Sequence, residues 1–137
     1  MDVWISIIGV QTLDGESDTV ELDTAGKLEA AEEGFRLSYE ESPVTGLEGA
    51  VTTLHVAPGQ VLLERSGALN SLLVLEPGKR HQSLYETPYG SLTMGVYTES
   101  LEMDLDESGG ALAFAYTMDM NGAAAGRHEV RVAVRPA

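Results

Sequence analysis

Along most of the chain, apolar and polar residues alternate with a period of two, and turn-forming residues break the alternation at short intervals. Val20, Leu22 and Thr24 alternate with Glu21 and Asp23. Leu101, Met103 and Leu105 alternate with Glu102, Asp104 and Asp106, and Val130, Val132 and Val134 with Arg131, Ala133 and Arg135. Each such run predicts a strand with one face on a core and one in water. The breaks at Asp14-Gly15, Pro58-Gly59, Pro77-Gly78, Ser108-Gly109-Gly110 and Asn121-Gly122 supply the φ values that tight reversals require. Strands are expected at about 2–13, 18–30, 34–41, 49–57, 60–67, 70–76, 80–87, 91–98, 100–107, 111–121 and 125–135. Helix is nearly absent from this pattern. The run LEAAEE, Leu28 to Glu33, contains good helix formers but is too short to nucleate alone.

About 8 to 11 sequential antiparallel strands must close or expose long edges that invite aggregation, and closure is the cleaner solution. The expected architecture is all-β, a single-domain antiparallel up-and-down β-barrel over residues 1–137. No composition shift, repeat or low-complexity tract divides the chain. The apolar share of 43% against 22% charged residues is ordinary for a globular protein and sets disorder aside.

Charge changes the picture of partners. Eight basic and 22 acidic residues give a net charge of −14, which repels phosphate backbones and anionic membrane surfaces. Neither a nucleic acid nor a membrane is expected as partner, and a monomer or homodimer is. Cysteine is absent, so there is no disulfide framework, thiol nucleophile or Cys zinc site. The opening MDVWISIIGVQTLDGE has Asp in place of a basic region and reads as a first strand, not a signal peptide. The expected location is cytoplasmic.

Several long strings resemble one family. LSYEES (Leu37 to Ser42) followed by TGLEG (Thr45 to Gly49), ERSGALNSLLVLEPGKRH (Glu64 to His81), SLYETPYGSLTMGVYT (Ser83 to Thr98) and the closing hairpin around MNG resemble the YwiB-like proteins, small bacterial proteins of unknown function. The resemblance runs nearly end to end and implies a barrel of calycin, lipocalin-like type. It implies no activity, because the family has none whose residues could be carried over. The Ala-rich hairpin NGAAAGRH departs from the family pattern at a loop tip or strand edge.

Strand alternation then asks which polar groups share a face with the core. Phe35, Leu37, Tyr39 and Glu41 fall on one side of their strand, and Val61, Leu63 and Arg65 on one side of theirs. An inward Arg65 needs a carboxylate or bound anion to offset its desolvation, and Glu41 is the natural partner, with Tyr39 nearby. The competing reading is a satisfied ion pair that fixes register, or an arginine that snorkels to solvent. In KRHQSLYETPYGSL, Lys79 to Leu92, His81, Ser83, Tyr85 and Thr87 lie opposite Arg80, Gln82, Leu84 and Glu86, so neither face is plainly apolar and the strand belongs near a rim or edge. Lys79, Arg80 and His81 could form a local anion-binding rim with Tyr85 and Tyr89 stacking on a ring. The competing reading makes Tyr85 a core residue and the bases a solvated hairpin end.

No catalytic residue and no cofactor is indicated. His55, His81 and His128 sit on separate strands without ligand spacing, so no metal site is expected. Glu40 and Glu41, being adjacent, point to opposite faces of a strand, Asp104 and Asp106 lie on a wet face as solvated charge, and neither a P-loop nor a nucleophile elbow occurs. Two function classes lead, with an undetected enzyme as the less favoured third. One is a barrel that binds a small, largely apolar or anionic ligand among residues such as Leu37, Leu63, Met94, Val96, Phe114, Tyr116 and Met118. The other is a structural or interaction module whose lumen those side chains fill.

Overall fold

The computed structural model describes residues 1–137 except Leu69, and describes the backbone but not the side chains of Tyr85 and Thr87. Ten strands follow one another: β1 (Asp2–Leu13), β2 (Glu16–Ala31), β3 (Gly34–Glu40), β4 (Ala50–Ala57), β5 (Gln60–Gly67), β6 (Ser71–Leu75), β7 (Arg80–Thr87), β8 (Gly90–Asp106), β9 (Gly109–Met120) and β10 (Ala123–Pro136). They form one antiparallel sheet in the order β6-β5-β4-β3-β2-β1-β10-β9-β8-β7. Because β1 pairs with β10, every strand but the two ends of this order lies between its neighbours in sequence or across the chain ends. The sheet curls into a nearly closed barrel. Among the described residues the seam between β6 and β7 is knitted by bridges, not a ladder: Asn70 opposite Glu86, and Pro77 beside Thr98. Thr98 holds most of it. Its carbonyl accepts from the Gly78 N–H at 2.9 Å, its hydroxyl accepts from the Glu76 N–H at 3.1 Å, and its N–H donates to Lys79 at 3.3 Å.

The turns are those the sequence chemistry demands. Asp14-Gly15 and Asn121-Gly122 both take positive φ at each position, the backbone that matches the twist of two-residue hairpins. No α-helix forms; the only helical piece among the described residues is a 3-10 turn, Pro43–Thr45, capped by the Ser42 side chain. No helix is long and apolar enough to cross a membrane among those residues. LEAAEE continues β2 as far as Ala31, because pairing with β3 and burial of Leu28 outweigh a helix propensity spread over so few residues.

One expected break is absent. The separate strands expected at about 91–98 and 100–107 are one strand, β8, with a bulge between Thr98 and Ser100. Met94, Val96 and Thr98 face the core before it, and Leu101, Met103 and Leu105 after it. The extra residue, Glu99, shifts the phase by one without a turn, so both apolar sets reach the same interior. Inside, Val3, Ile5, Leu37, Val61, Leu75 and Leu112 are almost wholly buried and make the dense part of the core.

Candidate functional site

The barrel interior is not filled throughout. At the end bearing the β1–β2 and β9–β10 turns, a cavity of about 490 Å³ opens to solvent, walled by Leu63, Met94, Phe114 and Met118 among others. Gly9 of β1 contributes no side chain to this wall, and a Cβ built there would meet nothing within 4 Å. A smaller pocket of about 370 Å³ at the opposite end is lined by Phe35, Val56, Met103 and Leu105.

Two polar rungs of the sheet run at the level of the larger cavity, and all their members but Thr52 and Thr98 line it. On one wall, Tyr39 lies opposite Thr52, Thr52 opposite Arg65, and Arg65 opposite Ser71, so four consecutive strands present one polar residue each at the same level. On the facing wall, Thr98, Tyr116, His128 and Gln11 make a second rung through β8, β9, β10 and β1. Cross-strand partners share a face, which is why these groups converge even though they are far apart in sequence.

Glu41, just beyond β3, is the anchor of the first wall. Its side chain is 2% exposed. Thr52 donates to Oε1 at 2.6 Å and Thr45 donates to Oε2 at 2.8 Å, so each carboxylate oxygen has a hydroxyl donor. The Arg65 Nε lies 3.9 Å from Oε1, close enough for charge attraction and too far for a hydrogen bond. Burial, and then the Glu41 charge, raise the Tyr39 phenol well above its ordinary value, so it stays protonated. His128 stacks on Tyr116 with ring centroids 4.9 Å apart. Burial first, and the Arg65 charge second, hold its imidazole below the usual histidine value. Three buried polar atoms have no hydrogen-bond partner among the described residues: Arg65 Nε, Ser71 Oγ and His128 Nε2. All three residues line this one cavity.

Comparison with known proteins fits this architecture. A family model described as a domain of unknown function, DUF1934, matches residues 5–132. The chain belongs to that family. The uncharacterized beta-barrel protein YwiB of Bacillus subtilis (strain 168) is 31% identical over 105 residues, which cover 77% of this chain and 72% of YwiB. The crystal structure of the ywiB protein from Bacillus subtilis aligns with a TM-score of 0.89 at 26% identity, covering 99% of this chain and 92% of that one. The all-β barrel is thus the fold of a solved relative.

In this DUF1934 chain the residues singled out from sequence separate into two groups. Tyr39, Glu41 and Arg65 come together at the cavity. His81 lies elsewhere: its Nε2 is 3.0 Å from Glu76 Oε1, and it is not among the cavity-lining residues. Lys79 pairs with the same Glu76 at 3.2 Å, and Arg80 makes a two-pronged contact with Asp119 at 2.9 and 3.0 Å across Gly95. Each base of the KRH run therefore faces a carboxylate of its own protein. Tyr89 stands 99% exposed on the β7–β8 turn, and the side chain of Tyr85 lies outside the described residues. Ser71 and His128 were not anticipated, although the signal was present: Ser71 shares phase with Leu73 and Leu75, and His128 with the valine stripe of β10.

Proposed function

We propose that the protein binds a small, largely apolar ligand with a polar or anionic end in the wider mouth of the barrel. One observation carries this reading: an open cavity of about 490 Å³ with apolar walls in which three buried polar atoms lack partners. Ligand sites commonly combine an apolar lining with a few convergent polar groups in a volume of this order. Natural proteins leave few buried polar atoms unpaired, and each costs about 1–3 kcal/mol. Three of them in one cavity favour a site completed by something other than the chain. Met94, Met118 and Met120 supply pliable walls that suit a ligand of irregular outline. The filled-barrel module is the weaker reading, because its lumen needs side chains where Gly9 leaves space.

The test is native mass spectrometry of the protein purified from its own cells, beside a Gly9→Phe variant that fills the lumen. A retained small molecule in the parent that is absent from the folded variant supports the reading. The same mass in both places the ligand elsewhere and refutes it.

A further inference from the structure

The unpaired atoms of the cavity are unequal to its paired ones, and the inequality specifies a ligand. Glu41 is the cavity's buried carboxylate, and both its oxygens already accept from threonine hydroxyls. The atoms left over are an arginine Nε, which can only donate, and a serine hydroxyl and an imidazole nitrogen, which both can donate. The arginine needs an acceptor, and one acceptor group can serve all three. Resting on the lumen being a ligand site, we propose that it selects an amphipathic monocarboxylate, the carboxylate held by Arg65, Ser71 and His128 and the apolar body lying along Leu63, Met94 and Phe114.

Placement supports one negative charge. Arg65 and Ser71 are direct cross-strand partners that both line the cavity, so adjacent strands present a donor each on the same face, an arrangement a two-oxygen head group fits. Tyr116 and His128 line the same cavity from the facing wall. Glu41, 3.9 Å from Arg65, already offsets part of the guanidinium charge, and the chain carries −14 overall. The lining also holds Asp18 and Glu129, so a dianion such as a phosphate monoester would be repelled more strongly than a monoanion, whose single charge the Arg65 guanidinium can meet with charge-assisted hydrogen bonds. His128, kept neutral by its surroundings, serves as a dipolar donor and not as a second cation.

The experiment is isothermal titration of the full chain at pH 8 with octanoate and with 1-octanol, two probes of similar shape that differ in the head. Octanoate is expected to bind roughly 10- to 100-fold more tightly, the difference a charge-assisted hydrogen-bonded head contributes. Arg65→Met should erase the preference. Because that variant leaves Glu41 buried beside no cation, Ser71→Ala provides the second arm, and it should weaken octanoate by roughly 3- to 10-fold while leaving octanol unchanged. Equal or tighter binding of octanol by the parent protein overturns the carboxylate assignment and leaves the lumen reading standing, as does a Ser71→Ala loss shared equally by both probes. Binding of neither probe overturns both.

Discussion

Thr52→Val tests whether Glu41 is held as a buried carboxylate by its neighbours. Thr52 is fully buried in β4, and its hydroxyl donates to Glu41 Oε1 at 2.6 Å. Valine keeps the shape and removes the donor. The oxygen is then left with Arg65 Nε at 3.9 Å, beyond hydrogen-bonding range. A hydrogen bond to a charged group contributes about 1.5–3 kcal/mol, and the added buried methyl returns about 0.8 kcal/mol, so the net loss is about 1–2 kcal/mol. For a chain of this length that lowers Tm by about 3–10 °C. Urea unfolding followed by circular dichroism should show a lower midpoint with an unchanged slope. In a Glu41→Gln background the cost of Thr52→Val should fall by about half, since a neutral hydrogen bond contributes less than a charge-assisted one. An unchanged midpoint, or the same cost in both backgrounds, would refute the account and make Thr52 a packing residue.

Three further outcomes are expected. Gly9→Phe should leave Tm within a few degrees of the parent, because its Cβ enters open space, whereas Gly34→Ala should lower it markedly, because a methyl there would overlap the backbone carbonyl of Val56; thermal melts of the two variants check the contrast. His128 gives a pH signature: its folded value is depressed, so the unfolded chain takes up the proton first, and stability present above pH 6.5 is lost as pH falls toward the folded value. Denaturant midpoints at pH 7.5 and 5.5 should differ more for the parent than for His128→Phe, and equal differences would sink the assignment. Lys79→Ala and Arg80→Ala should change octanoate affinity by less than about twofold and stability by less than about 1 kcal/mol, since both are exposed and paired with carboxylates outside the cavity. A large affinity loss in either would return the KRH run to the site.

The barrel was legible because its two signals are local. Alternation such as Val130, Val132, Val134 fixes which face is buried, and pairs such as Asn121-Gly122 fix where the chain reverses. The pairing of Arg65 with Glu41 was legible by the same phase argument, since both continue apolar faces of their strands. The fusion of two expected strands into β8 was not, because a bulge and a turn both appear in sequence as a break in phase, and only pairing with β9 through Glu102 to Asp106 separates them. The partners of the KRH run were out of reach for a related reason. A cluster of chemical groups in sequence says nothing of Glu76 and Asp119, which are brought to it by the seam turn and by β9. Thr45 and Thr52, which serve Glu41, come from a short 3-10 turn and from β4, so no one strand's pattern could reveal them.

A cavity of this size also bears on why the barrel is built as it is. Were about 490 Å³ sealed and empty, the cavity term of about 24 cal/mol per Å³ would amount to about 12 kcal/mol, as large as the whole stability of an ordinary domain. The open mouth avoids that cost by letting solvent or a solute occupy the space, and the polar rungs on both walls make occupation by water tolerable. Tolerable is not optimal, since Arg65 Nε, Ser71 Oγ and His128 Nε2 are too buried to be well hydrated. Ile5, Leu37, Val61 and Leu112 lie outside the cavity lining, although the same core cluster includes wall residues such as Leu63, Met94 and Phe114. A side chain at Gly9 would enter open space in the lumen, while occupying that space with a ligand at 100 times its Kd adds about 2.7 kcal/mol. Protein stripped of small molecules by unfolding and refolding should accordingly melt lower than protein as purified, and Gly9→Phe should show no such difference; a parent protein whose Tm is the same before and after stripping would mean that nothing was held there.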